Sequence, residues 1–412
     1  MTHSFAQSGF LRHLLAYTVS EVAAKASRLV VVVAVARTLS PEAIGLAAAA
    51  LAAGDILKAL TENGVNQRII QAPSEELAQR CNTAHRIFWV WCSGLCLLQL
   101  AVAAALFVMG HAMLAMLLAV LAGEYLFMPA GLVQAALAMR EGKLQQTAAI
   151  AGGQVVGANA LTALLAVVWA SPLALVLPRL LTAPVWLVLM RRLRRWSPDR
   201  RAGFAALKPF VGYGWAVLGV ELVKVLRLQA DKLVVGAMLG AEALGIYFMA
   251  FNAGLGLATS FTQAFSVVLF PHLCAAEDKH GALRHGLGLS LLILTPLVLL
   301  QAALAPVYVP LLLGQGWAEI APVVSVLCLA ALPTVIWSAV AGWLRSENRP
   351  VTELRVSTVL AVGLIANTAL MAPLGLMPVA VGYVCTCTAI MLAASWALLP
   401  RGSAITQEAR AQ

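Results

Sequence analysis

Charged side chains are scarce in this sequence: Asp, Glu, Lys and Arg make up 11% of its 412 residues, where soluble domains carry about a quarter. A soluble globular protein is thereby excluded. The 61% hydrophobic content and a mean hydropathy of +0.87 indicate a polytopic membrane protein. Signatures of catalysis are missing too. No nucleophile elbow, P-loop or HExxH occurs, and no segment between apolar runs is long enough for a catalytic domain. Neither enzyme activity, catalytic residues, cofactor nor metal is expected. The seven cysteines are odd in number and lack CxxC spacing, and Cys92, Cys96, Cys328, Cys385 and Cys387 lie inside apolar runs, as packing residues do. Acids are outnumbered, 18 against 28 Lys and Arg, for a net charge of +10. The basic residues lie in short segments between apolar runs rather than along one soluble face, so they read as topology signals and not as a nucleic-acid surface. No cleavable signal is expected. Leu29 to Ala36 imitates a short apolar core, but Glu21, Lys25 and Arg28 precede it and a second copy lies mid-chain.

At about 20 apolar residues per crossing, the runs predict an all-α integral membrane protein with about twelve transmembrane helices: 13–38, 42–61, 84–109, 112–139, 146–169, 172–190, 209–239, 243–271, 286–305, 317–344, 353–373 and 376–399. Between the sixth and seventh lies RRLRRWSPDRRAGFAALK, Arg191 to Lys208, with seven basic residues and one Asp. It divides the chain into an N-terminal six-helix bundle over 1–190, a cytoplasmic basic linker over 191–208, and a C-terminal six-helix bundle with a short cytoplasmic tail over 209–412. With both termini cytoplasmic, twenty of the 28 Lys and Arg fall in cytoplasmic segments and only Arg37 at an outer edge. The remaining seven fall inside spans.

The halves resemble each other at an offset of 200 residues. LSPEAIGL, Leu39 to Leu46, matches LGAEALGI, Leu239 to Ile246, at Leu, Glu, Ala and Gly, and Glu21 falls opposite Glu221. LAMREGK (137–143) echoes GWLRSENR (342–349) at a slightly larger offset. Two matches in the same order predict duplicated, pseudo-symmetric bundles with a site at their interface. A GxxxG from Gly153 to Gly157 reads as ordinary helix packing.

The seven intramembrane cations are Lys25, Arg28, Lys58, Arg179, Lys224, Arg227 and Lys232. At about 100° per residue, Glu21, Lys25 and Arg28 share an arc of roughly 60°. Asp55, Lys58, Glu62 and Asn66 share roughly 80°, and Glu221, Lys224, Arg227, Asp231 and Lys232 roughly 140°. Exposing the last set to lipid would cost on the order of 13–17 kcal/mol, so these faces are expected to line a wet cavity. Ion pairs such as Lys25 with Glu21, Asp55 with Lys58 and Asp231 with Arg227 could account for them as purely structural charges. Yet the cations outnumber the acids Glu21, Asp55, Glu221 and Asp231 in the same helices, and that surplus suits an anion, with Arg offering a fork for phosphate. Glu124 stands apart, as a satisfied hydrogen-bonding group or an ion-coupling acid.

Three stretches carry a family resemblance. ARTLSPEAIGLAAAALAAGDILKALTENGVNQRIIQ (36–71), DKLVVGAMLGAEALGIY (231–247) and YVPLLLGQGWAEIAPVVSVLCL (308–329) resemble the bacterial polysaccharide flippases, the Wzx-type branch of the superfamily that includes MATE multidrug exporters and the lipid II flippase. The resemblance implies a V-shaped pair of six-helix bundles in the bacterial inner membrane, with spans 1 and 7 lining a cationic cavity. It implies alternating-access transport of a polyprenyl-diphosphate-linked oligosaccharide for surface or exopolysaccharide biosynthesis, with membrane lipids as partners and the polymerase and chain-length regulator of that pathway as candidate partners. It fixes structural positions such as Gly45 and Gly245 better than binding ones. The alternatives are a MATE-like cation-coupled multidrug antiporter, which calls for an acid-rich cavity, a glycan polymerase or ligase, which calls for a large periplasmic loop, and a scaffold of the glycan machinery.

Overall fold

The computed structural model describes residues 27–199, 201–275, 278–347 and 349–398, and among them no strand occurs. Glu21 and Lys25 lie outside the described residues. Two compact units emerge, Met1–Phe248 and Met249–Gln412. The first holds α1 (27–38), α2 (Pro41–Ala59), α3 (Val65–Ile70), α4 (Leu77–Val108), α5 (Ala112–Ala122), α6 (Pro129–Arg140), α7 (Leu144–Val168), α8 (Leu173–Leu193) and the first part of α9 (Lys208–Ala275). The second holds the rest of α9, then α10 (Lys279–Leu313), α11 (Ala321–Cys328), α12 (Ala331–Ser346), α13 (Pro350–Met371) and α14 (Leu376–Leu398).

Eight helices among the described residues are long and apolar enough to cross a membrane, or nine if the pair Ala112–Leu126 and Pro129–Arg140, bent by 52°, is one span. Sequence reading expects about twelve, and the shortfall has identifiable sources. Only the last part of the first span is described, α2 carries Glu42, Asp55 and Lys58, and spans seven and eight form one helical run. Large apolar side chains on the outer faces, such as Leu97 and Phe107 on α4 and Leu292 and Leu311 on α10, are exposed. Surface of that kind is stable only against lipid, where helices satisfy their own backbone groups. The protein is a multi-pass membrane protein.

The duplicated octapeptide has a structural counterpart. In the first copy the chain breaks at Ser40, whose extended backbone caps α2 while its Oγ accepts a hydrogen bond from Ala43 N at 3.2 Å, and Pro41 supplies the first turn with a preset φ. In the second copy the break falls 200 residues on, at Gly240, with φ 88° and ψ 176°, a region only glycine enters without strain. The two copies pack against each other reciprocally. A Cβ on Gly45 would lie 1.7 Å from Ala241 O, and one on Gly245 would lie 1.8 Å from Pro41 O. Gly45 and Gly245 are therefore glycines because two helix N-termini cross backbone to backbone there. Gly153 and Gly157 differ: a Cβ at either would find nothing within 4 Å, so the GxxxG on α7 packs against no other helix among the described residues.

The basic linker is tied to the first unit. Asn82, buried on α4, donates to Asp199 O (2.7 Å) and Gly203 O (2.9 Å) and accepts from Asp199 N (3.1 Å). Thr83 donates to Ala205 O at 3.0 Å, and Trp196 meets the His85 ring edge-on at 5.3 Å. Arg194 pairs with Glu141 at 2.5 Å, and hydrogen bonds from Lys143 and Arg194 hold the Glu141 carboxyl below the usual carboxylate range. Beneath this end, Val65, Ile69, Phe88, Val133, Leu137 and Phe210 form an apolar core joining α3, α4, α6 and α9. In the second unit, Leu269, Leu273, Trp337, Leu364 and Met391 serve the same purpose.

Candidate functional site

The charged stripe of α2 is where the first unit concentrates its polar contacts. Asp55 accepts from Arg179 of α8 at 2.5 Å through one oxygen and from Gln229 of α9 at 2.9 Å through the other, tying three helices together. One turn on, Lys58 forms an ion pair with Glu124, which a 3-10 turn at Gly123–Leu126 brings in between α5 and α6. Glu124 is buried while Lys58 remains 41% exposed, so the lysine presents part of its charge outward from a fixed anchor. Trp91 on α4 donates to Leu60 O at 2.7 Å and steadies the end of α2.

On α9, Glu221 pairs with Lys224 at 2.7 Å, both partly exposed. Glu62, just past α2, lies in the field of Glu221, Lys224 and Lys58, which makes the α2 and α9 charges neighbours in one network. Arg28 on α1 is exposed and lies in the field of Arg179 and Asp55. Arg227 is half-buried and makes no hydrogen bond or ion pair among the described residues. Farther along α9, Asp231 and Lys232 are both buried. Lys232 lies 3.6 Å from the Asp231 carboxylate and donates to Leu228 O, while Tyr247 Oη donates to Asp231 at 2.8 Å across the Gly240 break.

The structure thus gathers Arg28, Asp55, Lys58, Glu124 and Arg179, with Glu221 and Lys224 close by, and sets Asp231 and Lys232 apart as a buried pair. The expected local pairings do not form: Lys58 takes Glu124 rather than Asp55, and Asp231 takes Lys232 rather than Arg227. Glu124 does not stand apart. In both cases the partner taken lies within ion-pair distance, while the charge one turn away on the same helix forms no ion pair with it among the described residues. Gln229 and Tyr247 supply uncharged partners to Asp55 and Asp231, and neither has a sequence signal, because an uncharged polar residue among apolar ones carries no helical pattern of its own.

Comparison with known proteins gives this arrangement its relatives. Residues 34–322 match the model of the family described as "Polysaccharide biosynthesis protein". The lipopolysaccharide biosynthesis protein WzxC of Escherichia coli (strain K12) is 24% identical over 242 residues, 57% of this chain and 49% of that protein. The teichuronic acid biosynthesis protein TuaB of Bacillus subtilis (strain 168) is 22% identical over 160 residues, 38% of this chain and 33% of that protein. The chain thus spans at most about half the length of these curated relatives. In fold, it is similar to the lipid II flippase MurJ in an inward closed conformation, with a TM-score of 0.76 at 11% identity over 93% of this chain and 87% of that one. An inward-facing MATE family multidrug transporter gives a TM-score of 0.67 at 15% identity, covering 90% and 92%. The fold is therefore that of the MurJ and MATE transporters, and because the family match spans most of the sequence and includes the charged face of α2, both crossing glycines and the break at Gly240, the chain belongs to the polysaccharide biosynthesis protein family.

Proposed function

We propose that this protein is a flippase that moves a polyprenyl-diphosphate-linked oligosaccharide across the bacterial inner membrane by alternating access, with both termini and the basic linker cytoplasmic. The observation that carries this reading is the sign of the network around α2. Asp55, Glu124 and Glu221 each already have a cationic partner, while Arg227 has none among the described residues and Lys58 and Lys224 remain partly exposed. A diphosphate entering such a site gains charge-assisted hydrogen bonds from groups held in place beforehand, and Arg recognises it with a planar fork. The family and the names of its relatives support a glycan precursor as cargo. In this reading Arg28, Lys58, Arg179, Lys224 and Arg227 serve the anion, with Lys25 preceding them in the sequence, while Asp231 and Lys232 secure the break in α9. Gating about that break, and not chemistry, is the protein's task.

A cation-coupled multidrug antiporter shares the fold. It requires carboxylates free to receive a cation, and here a drug would have to displace a lysine or arginine from each of Asp55, Glu124 and Glu221. The test combines two measurements: surface glycan in a strain lacking its own copy, and thermal stability of the extracted protein, for Arg28→Gln, Arg227→Gln and the double variant. We expect glycan export to be lost with the fold intact, and Arg28→Lys to be partly tolerated because the charge survives without the fork. Normal export by well-folded variants would remove these residues from the mechanism.

A further inference from the structure

Beside the Lys58–Glu124 pair lies a small cavity of about 10 Å³, lined by Lys58, Gln99, Leu121, Glu124, Tyr125 and Arg179. Two of its lining side chains end in polar atoms that no described protein group satisfies, Gln99 Oε1 and Tyr125 Oη, and both residues are at least 97% buried. The Gln99 amide cannot resolve this by turning over. Its Nε2 already donates to Leu118 O at 2.8 Å, and a reversed amide would face that carbonyl with another acceptor. Orphaned polar atoms in a dry site are costly, and native proteins satisfy them with an ordered water when space allows. The space allows one: roughly 10–15 Å³ holds a single molecule.

We propose that this cavity is a binding site for one ordered water, which accepts from Tyr125 Oη and donates to Gln99 Oε1 and to the Glu124 carboxylate. Charge selects against a metal ion, since Lys58 and Arg179 already neutralise Glu124 and Asp55 and a Na⁺ would add an unmatched positive charge beside them, and no anion larger than a single atom fits the volume. The water bridges α4 to the 3-10 turn at Gly123–Leu126. It thereby fixes the carboxylate that anchors Lys58, and so sets how that lysine is presented.

The test uses the full chain. A structure determined at a resolution that shows waters, in sodium buffer and in potassium buffer, should show one peak within hydrogen-bonding distance of Gln99 Oε1, Tyr125 Oη and the Glu124 carboxylate in both. Gln99→Met and Tyr125→Phe should each lower the melting temperature by roughly 2–4 °C. The double variant should lose little more than the worse single one, because either substitution breaks the same bridge. No peak together with additive losses would overturn the proposal. So would a peak or a stability gain that appears in sodium alone, which would make the guest a cation.

Discussion

Gly45 and Gly245 occupy equivalent places in the two repeats, and each lets its helix pass the other's first carbonyl with no room for a methyl group. Crowding by the far end of a side chain can be relieved by a rotamer change. Crowding by a backbone oxygen at 1.7 Å or 1.8 Å cannot, so the helices themselves must shift. Overpacking of well-fitted sites costs about 1–3 kcal/mol, and a backbone contact belongs at the upper end. Gly45→Ala and Gly245→Ala should therefore each lower folded yield and melting temperature after membrane extraction. Gly153→Ala, on α7 with nothing within 4 Å, serves as the control and should be neutral or stabilising, since alanine is the better helix former. Equal behaviour of all three variants would refute the crossing. The repeat is legible in the sequence because glycine's lack of a side chain is itself the function at these positions.

Among the elements, the linker between α8 and α9 shows how composition and packing divide the information. Its seven basic residues announce a segment outside the bilayer. They do not announce that it is docked, because the docking rests on backbone groups of Asp199, Gly203 and Ala205 received by Asn82 and Thr83, more than 115 residues earlier. Asn82→Leu keeps the volume and removes three hydrogen bonds, so it should cost about 1–3 kcal/mol. Trypsin should then cut within 191–208 several times faster than in the parent protein, with the remainder of the chain resisting as before. An unchanged digestion rate would mean that Thr83, the Arg194–Glu141 pair and Trp196 hold the linker without Asn82. Lowering the pH acts on the same segment: Glu141 is held below its ordinary range by Lys143 and Arg194, so its contribution is present above the unfolded carboxylate value and is lost as the pH falls through the folded one.

At the scale of the whole molecule, orientation is the property most open to test. A reporter active only in the periplasm, fused after Ser197, should be silent, and the same reporter after Gly316 should be active; the reverse pattern would invert the proposed topology. The sequence by itself determined that this chain lives in a membrane, that its helices carry more positive than negative charge into it, and that an octapeptide at 39–46 recurs 200 residues on with four of its eight residues identical. Those properties are local: hydropathy, charge count and a repeat survive in one dimension. Tertiary structure alone decided which charges meet. Asp55 finds Arg179 124 residues away and Gln229 174 residues away, and Lys58 finds Glu124 across 66 residues. Helical periodicity identifies which residues share a face, but the face opposite is chosen by packing. A half-buried carboxylate takes the cation that packing brings within hydrogen-bonding distance, because the energy of an ion pair depends on separation and desolvation and not on position along the chain.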